Sequence, residues 1–384
     1  MSQPQPFTPP PYPYARLDAL KRRAAEAPGG LVDLSIGTPG DPVPEVVTRA
    51  LIDAAPRWAG YPVSVGLPPL REAACGWLER RLGVSLPPSQ VIACIGTKEL
   101  VAGLPHLLRL RDPSRDTVLY PAVSYPSYEM GAILGGCRAV PVPLDEAWHM
   151  DLGAVSGEDA SRALLLWLNE PGNPTGSAAT TEELAAAVEW GRARGITVAS
   201  DECYVEFVYG PGEEPVPGAT ALSAGTEGVL AVHSLSKRSN MAGYRSGFVT
   251  GDADIVSFLG QVRSHAGFMV PGPIQAAAAA AWADDAHVEE QRAVYGERRR
   301  LAKSRLAGAG LVDAGGPGTF YLWARSADPD EDGWAVGTRL AESGLLVAAG
   351  ELYGPGGVDY VRIALVLPAE RVAFAFDRLV SAVA

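Results

Sequence analysis

Lysine is scarce in this chain. Only four of its 32 basic residues are lysine, at positions 21, 98, 237 and 303. The rest are arginine, which stays protonated in proteins. Chemistry that needs a side-chain amine therefore has few places to happen. Cysteine is equally sparse. Cys75, Cys94, Cys137 and Cys203 stand far apart with no C-x-x-C pair. That spacing disfavours a zinc site or a disulfide framework, and points to free thiols in a reducing compartment. No apolar run approaches the roughly 18 residues of a membrane span. The opening MSQPQPFTPPPYPY lacks the basic-then-apolar order of a secretory signal. Excess positive charge is absent too: the net charge is −12, which argues against nucleic acid or an anionic membrane as partner. The expectation is a cytoplasmic protein without a metal, a membrane or a nucleic acid to bind.

What is present is 384 residues of ordinary globular composition, enough for two domains and a large core. The first 30 or so residues are Pro-rich and carry Phe7, Tyr12 and Tyr14. They read as an arm lying on another surface, too polar and kinked for a core element. From about residue 90 short apolar runs recur: 91–95, 117–120, 138–142, 163–168, 196–200, 229–233 and 247–250. Helical stretches separate most of them, such as 181–195 with a threonine cap and early glutamates. Strands alternating with helices predict an α/β fold with a largely parallel sheet covered on both faces, whose ligands bind beyond the strands' carboxyl ends. A long helix from about Pro273 to Leu306 follows. After it come GTFYLWA (318–324), a helix near 334–343 and DYVRIALVL (359–367), the makings of a smaller α+β domain.

Five segments sit where such a sheet would present its ligands. In HSLSKRSNMAGYRSGF (233–248), Ser234, Ser236, Lys237 and Arg245 follow a strand. A lysine there is ordinarily a solvated surface residue. Two hydroxyls, an amine and a guanidinium in one loop are also what a phosphorylated aldehyde cofactor requires. Asp201, after the run 196–200, either caps a turn or holds a pyridine nitrogen, with Tyr204 three residues on. Asn173, in NEPGNPTG (169–176), either builds a turn or donates to a phenolate. Gly96, Thr97 and Lys98 open a helix whose N-terminus suits a phosphate. Tyr125 either fills the sheet's rim or stacks on a flat ring.

Taken together and in this order, the segments resemble the class I/II aminotransferases among the fold-type I pyridoxal 5'-phosphate enzymes, from about residue 30 to 380. The motif S-x-S-K-x-x-x-x-x-G-x-R-x-G at 234–247 carries most of the resemblance. It implies a mostly parallel seven-stranded sheet in a large domain, 46–274. A smaller domain would comprise 31–45 and 275–384, behind an N-terminal arm, 1–30. By the same resemblance Lys237 binds the cofactor aldehyde, while Ser234, Arg245 and the Gly96–Thr97–Lys98 turn hold its phosphate. Asp201 pairs with the ring nitrogen, Tyr204 and Asn173 with the ring oxygen, and Tyr125 stacks on the ring. Tyr61 is implied to reach the phosphate site of a neighbouring subunit, hence a homodimer. Arg362, in YVRIAL, grips the substrate α-carboxylate under a loop containing Gly37. One departure is Glu170, which precedes Pro171 where the commoner pattern runs N-P-x-N-P-T-G.

The stretches LVDLSIGTPGDPVP, GYPVSVGLPPLREA, IGTKELVAGLP and YPAVSYPSYEMGAILGG are similar to the actinobacterial type of succinyldiaminopimelate aminotransferase. The implied reaction converts N-succinyl-2-amino-6-oxopimelate and glutamate to N-succinyl-LL-diaminopimelate and 2-oxoglutarate, in lysine biosynthesis. The substrate's extra carboxylates call for further cations, and Lys98, Arg238 and Arg263 are the candidates. Transaminases for LL-diaminopimelate, aspartate, aromatic amino acids or alanine are the alternatives, with a β-lyase behind them.

Overall fold

A computed structural model describes residues 7–383 of the chain. Its centre is a seven-stranded sheet. In chain order the strands are β1 (Val91–Cys94), β2 (Thr117–Pro121), β3 (Arg138–Val142), β4 (Ala163–Asn169), β5 (Thr197–Asp201), β6 (Val229–Ser234) and β7 (Gly247–Gly251). Their order across the sheet is β1-β7-β6-β5-β4-β2-β3. Only β7 runs against its neighbours. The apolar runs lack alternation because helices cover both faces, so both sets of side chains are buried except on the edge strand β3, where Arg138 and Pro141 are exposed. β4 illustrates this: Leu166 and Leu168 join one core cluster, Leu165 and Trp167 the other.

The helix before β5 spans Thr181–Arg192, three residues shorter at its end than the pattern predicts, where the chain turns back toward the sheet. Thr180 caps it, with Glu183 reaching back to the Thr180 N–H at 2.7 Å in a capping box. The single long helix expected over 273–306 is two helices, Gly272–Ala283 and Ala286–Leu306. Asp284 and Asp285 break it. The Asp284 carboxylate accepts from the Ala286 N–H, and Asp285 turns to meet Arg80 and Arg238. Such competition by short acidic side chains is why they favour helix ends.

A second, antiparallel sheet of four strands follows: β8 (Leu311–Asp313), β9 (Tyr321–Ser326), β10 (Ala348–Ala349) and β11 (Tyr360–Ala364), in the order β8-β9-β11-β10. The N-terminal segment corrects an expectation. Residues Pro13–Leu17 form a 3-10 turn and Asp18–Glu26 a helix, and Leu17, Leu20 and Ala24 are buried with Ala341 and Leu346 of the same chain. The heptad-like spacing of those three apolar residues is a helical stripe that the surrounding prolines and charges obscure. Residues 1–6 of the expected arm lie outside the described residues. Among the described residues, no helix is long and apolar enough to cross a membrane.

Trp282 anchors the core beneath β6 and β7. Its ring lies 4.6 Å from Trp77 and 4.9 Å from Phe248, and the buried Arg238 guanidinium sits 5.1 Å above it. Trp282→Ala should lower unfolding free energy by about 3–5 kcal/mol through lost contacts and a residual cavity. Equilibrium denaturation measures this, and a loss under about 1 kcal/mol would show that the cluster relaxes around the void.

Candidate active site

The carboxyl ends of β1, β2, β4, β5 and β6 share one edge of the sheet. Because β7 is antiparallel, its entry point, not its exit, lies at that edge: Gly247 pairs with both Cys94 and Ser234. Arg245, two residues before, is thereby delivered beside Gly96. The strands' loops and the second sheet enclose a cavity of about 530 Å³. Its walls include Gly37, Thr97, Lys98, Tyr125, Asn173, Asp201, Tyr204, Ser234, Ser236, Lys237, Arg245 and Arg362.

One end of the cavity is built for an anion. Gly96 precedes the helix Thr97–Arg111, whose first N–H groups have no intrahelical acceptor. Gly96 has φ +68°, and a Cβ there would stand 2.1 Å from Arg245 Nη2, so only glycine lets the guanidinium approach. Arg245 donates to the carbonyls of Ala242 (2.9 Å) and Ile95 (3.4 Å), and no carboxylate of the described residues pairs with it. The Ser234 hydroxyl accepts from the Ser236 N–H at 3.1 Å, opening the short helix Leu235–Arg238 that carries Lys237.

Lys237 is enclosed deeply enough that burial, joined by the Arg362 and Arg245 guanidiniums, pulls its ammonium down to about 8. Its Nζ donates to the Gly37 carbonyl. Gly37 itself can be nothing larger, since a Cβ would fall 1.8 Å from the Tyr321 hydroxyl. Opposite, Asp201 receives the Tyr128 hydroxyl at 2.9 Å and the Cys203 N–H at 3.3 Å. Burial pushes the carboxyl above its ordinary range, and these donors together with the Cys203 thiol offset that only in part. Tyr204 and Tyr321 share a hydrogen bond of 2.8 Å between their hydroxyls.

Arg362, on β11, is buried against Tyr321 and Tyr353, its carbon 4.2 and 4.9 Å from their ring centres. It donates to Asn173 Oδ1 at 2.8 Å and to the Ser35 carbonyl at 2.7 Å. Its Nε has no partner among the described residues. A guanidinium that lines the cavity and is held by neutral acceptors suits a carboxylate.

The structure separates the three candidate distal cations. Lys98 lines the cavity, its Nζ 5.1 Å from the Tyr12 ring centre and 5.8 Å from that of Tyr125. Arg238 does not; it is spent on Glu206, Asp285 and the Ala281 carbonyl. Nor does Arg263, which is paired with Glu99 at 2.6 Å. Tyr61 is 96% exposed and lies outside its own chain's cavity. Sequence reasoning passed over Tyr128, Tyr321 and Tyr353, and treated Tyr12 and Tyr14 as mere arm aromatics. Tyr128 had a signal, standing three residues after Tyr125 at helical spacing. The others reach the site only through tertiary packing, as when the Tyr14 hydroxyl meets that of Tyr353 at 2.8 Å.

A buried low-pKa amine, a buried carboxylate, a glycine-lined anion cradle and a carboxylate-sized guanidinium fork fit pyridoxal phosphate and an amino acid together. They define a cofactor enzyme of amino-group chemistry. The chain belongs to the aminotransferase class I and II family, whose profile matches residues 30–379, and its cofactor is pyridoxal phosphate. It is 44% identical over 372 residues to 4-dedimethylamino-4-oxo-anhydrotetracycline transaminase OxyQ of Streptomyces rimosus, covering 96% of this chain and 99% of that protein. It is 34% identical to an LL-diaminopimelate aminotransferase of Aquifex aeolicus, with 96% of each chain covered. A solved structure of a probable N-succinyldiaminopimelate aminotransferase from Thermus thermophilus superposes with a TM-score of 0.86 at 34% identity, covering 96% of this chain and 100% of that one. The central sheet is that of fold-type I aminotransferases.

Two outcomes are expected. Gly96→Ala should weaken pyridoxal phosphate binding at least about tenfold, since one displaced charge-assisted contact is worth that much; titration of the apoenzyme by absorbance measures it, and unchanged affinity would remove the cradle. In the apoenzyme, trapping of Lys237 by an aldehyde and borohydride should rise with pH around a midpoint of about 8. Peptide mapping that finds the label mainly on Lys21, Lys98 or Lys303 would contradict this.

Proposed function

We propose that this aminotransferase moves the amino group of glutamate to N-succinyl-2-amino-6-oxopimelate, giving N-succinyl-LL-diaminopimelate and 2-oxoglutarate. The observation that carries the reading is the charge inventory of the cavity. Arg245 is assigned to the phosphate, Arg362 to the α-carboxylate and Lys237 to the aldehyde. Lys98 is then left as a cation without a carboxylate partner, and Asp201 is the one acid among the cavity-lining residues described. A distal carboxylate satisfies Lys98. A free distal ammonium, as in diaminopimelate itself, would meet that lysine with no acid to offset it. Succinylation removes the ammonium and adds a carboxylate.

On this reading bound pyridoxal phosphate supplies the aldehyde that takes up amino groups and the ring that accepts electrons from Cα. The chain does the rest. The Arg362 fork, steadied by Asn173, orients the substrate carboxylate so that its Cα–H faces Lys237. Lys237 Nζ, its ammonium made easier to deprotonate by burial, would take the Cα proton and deliver it on the same side to the carbon that had been the aldehyde. Asp201, set by Tyr128, would hold a proton at the ring nitrogen, Asn173 and Tyr204 would donate to the ring oxygen, and Tyr125 would stack on the ring. We assign 46–274 to the cofactor domain, and 31–45 with 275–384 to the smaller one. Tyr61, exposed in one chain, serves a partner's phosphate site, which makes the active unit a homodimer; a cytoplasmic location accompanies this biosynthetic role.

The test compares acceptors and donors in the purified enzyme by following cofactor absorbance in each half-reaction. N-succinyl-diaminopimelate should exceed free diaminopimelate by at least about 10-fold in kcat/KM, the worth of one charge-assisted bond. Lys98→Gln should erase most of that difference. Preference for free diaminopimelate, or amination of a flat polycyclic ketone against the tyrosine wall in the manner of the Streptomyces relative's name, would replace the acceptor.

A further inference from the structure

Asn173 stands at the apex of a loop that begins and ends on Glu170. The Glu170 Oε2 accepts the Ala179 N–H at 3.0 Å, and Oε1 accepts the Ser177 hydroxyl at 3.3 Å. Within the loop the Asn173 N–H donates to Asn169 Oδ1 at 2.9 Å. The same Glu170 Oε1 faces His149 Nδ1 at 3.2 Å. His149 comes from a different element, the turn after β3, which is fixed by the Asp145 carboxylate on the His149 N–H and by Trp148 Nε1 on the Ala314 carbonyl. Asn173 and Asn169 line the catalytic cavity, but His149, Glu170, Ser177 and Ala179 do not. These four border a second cavity of about 360 Å³ on the other side of the loop, and the imidazole is partly exposed.

We propose that His149 and Glu170 are positioning residues. Their ion pair latches the Asn173 loop and sets, from outside the catalytic cavity, how tightly the Arg362 fork holds a substrate carboxylate. The inference rests on the assignment of Arg362 to that carboxylate. The route is short: Glu170 ties the two ends of the loop together, and Asn173 at its apex is the acceptor that holds one arm of Arg362 at 2.8 Å. The charges around the imidazole come from three elements: Asp145 on its own turn, Glu170 on the loop and Glu183 on the helix Thr181–Arg192. The hydrogen bond to Glu170, with the field of all three carboxylates, holds His149 above the usual imidazole range despite its burial. A group raised in the folded state contributes fully below its ordinary value near 6.5, and that contribution is lost as pH rises through the folded value. Deprotonation removes the positive charge that Glu170, Asp145 and Glu183 surround, and the latch loosens.

Glutarate, a dicarboxylate that carries no amino or oxo group to react, probes the fork directly in the holoenzyme. Its dissociation constant in the wild type should rise at least about fivefold as pH increases through the His149 titration, and by reciprocity bound glutarate should lower the imidazolium's acid dissociation constant by the same factor, moving that titration to higher pH. Isotopic labelling of histidine and NMR read the second quantity without any substitution. His149→Gln keeps an amide donor toward Glu170 but does not titrate, and Glu170→Gln keeps an acceptor without the charge; both should flatten the glutarate profile relative to the wild type. Profiles of wild type and His149→Gln that superimpose, or a His149 titration unmoved by glutarate, overturn the latch. Failure of the wild type to transaminate overturns the proposed function instead, and leaves these binding profiles to be read.

Discussion

The hydrogen bond between Arg362 and Asn173 is where the two sheets of this protein become one site. Arg362 stands in the middle of β11 in the second sheet, and Asn173 in the loop that leaves β4 of the first. A guanidinium buried there needs acceptors, and it finds an amide oxygen, a backbone carbonyl and two tyrosine faces rather than a carboxylate. The choice has a reason. A buried acid would neutralise the arginine permanently, whereas neutral acceptors hold it in place and leave its charge for an incoming anion. Arg245 is treated the same way at the other end of the cavity, fixed by carbonyls alone. The arginines that serve the framework, Arg238 and Arg263, are instead paired with acids.

Topology supplies the second constraint. Six strands point the same way and deliver their loops to one edge. A seventh running in that direction would have carried Arg245 to the opposite edge, some strand-length away from Gly96. Reversing β7 costs nothing in pairing, and it places Arg245 and Lys237 on consecutive segments of one β6–loop–β7 unit. Lys237 and Arg245 are thus joined by a short connection, while Asp201, Asn173 and Gly96 come from three other strand ends. The site tolerates changes in the loops between them only so far as the strands keep their register.

Much of this was legible in the residues. Strand positions came from uninterrupted apolar runs, and these were right because a sheet covered on both faces has no polar side to confuse the reading. The motif around Lys237 named the amine and the guanidinium together. Less visible were contacts that depend on packing between distant elements. Asp284 and Asp285 interrupt a helix because Asp285 has partners on Arg80 and Arg238, which no local pattern reveals. Leu17, Leu20 and Ala24 bury a helix that its prolines and charges disguise as a tail. Arg238 and Arg263 looked like substrate-binding cations on position alone. Their consumption by Glu206, Asp285 and Glu99 appears only when separate segments are brought together.

The scarcity of lysine has a chemical consequence of its own. Pyridoxal phosphate is a reactive aldehyde, and any unprotonated primary amine on a protein surface competes for it. Of the other three lysines, Lys303 is engaged by Glu213 and Asp313, Lys21 faces Asp33, and Lys98 is half enclosed by tyrosine rings. Arginine carries nearly all the remaining positive charge and stays protonated. The molecule therefore presents the cofactor with a surface that is electrostatically cationic in places yet poor in competing amines, and the covalent capture proposed for Lys237 meets little competition.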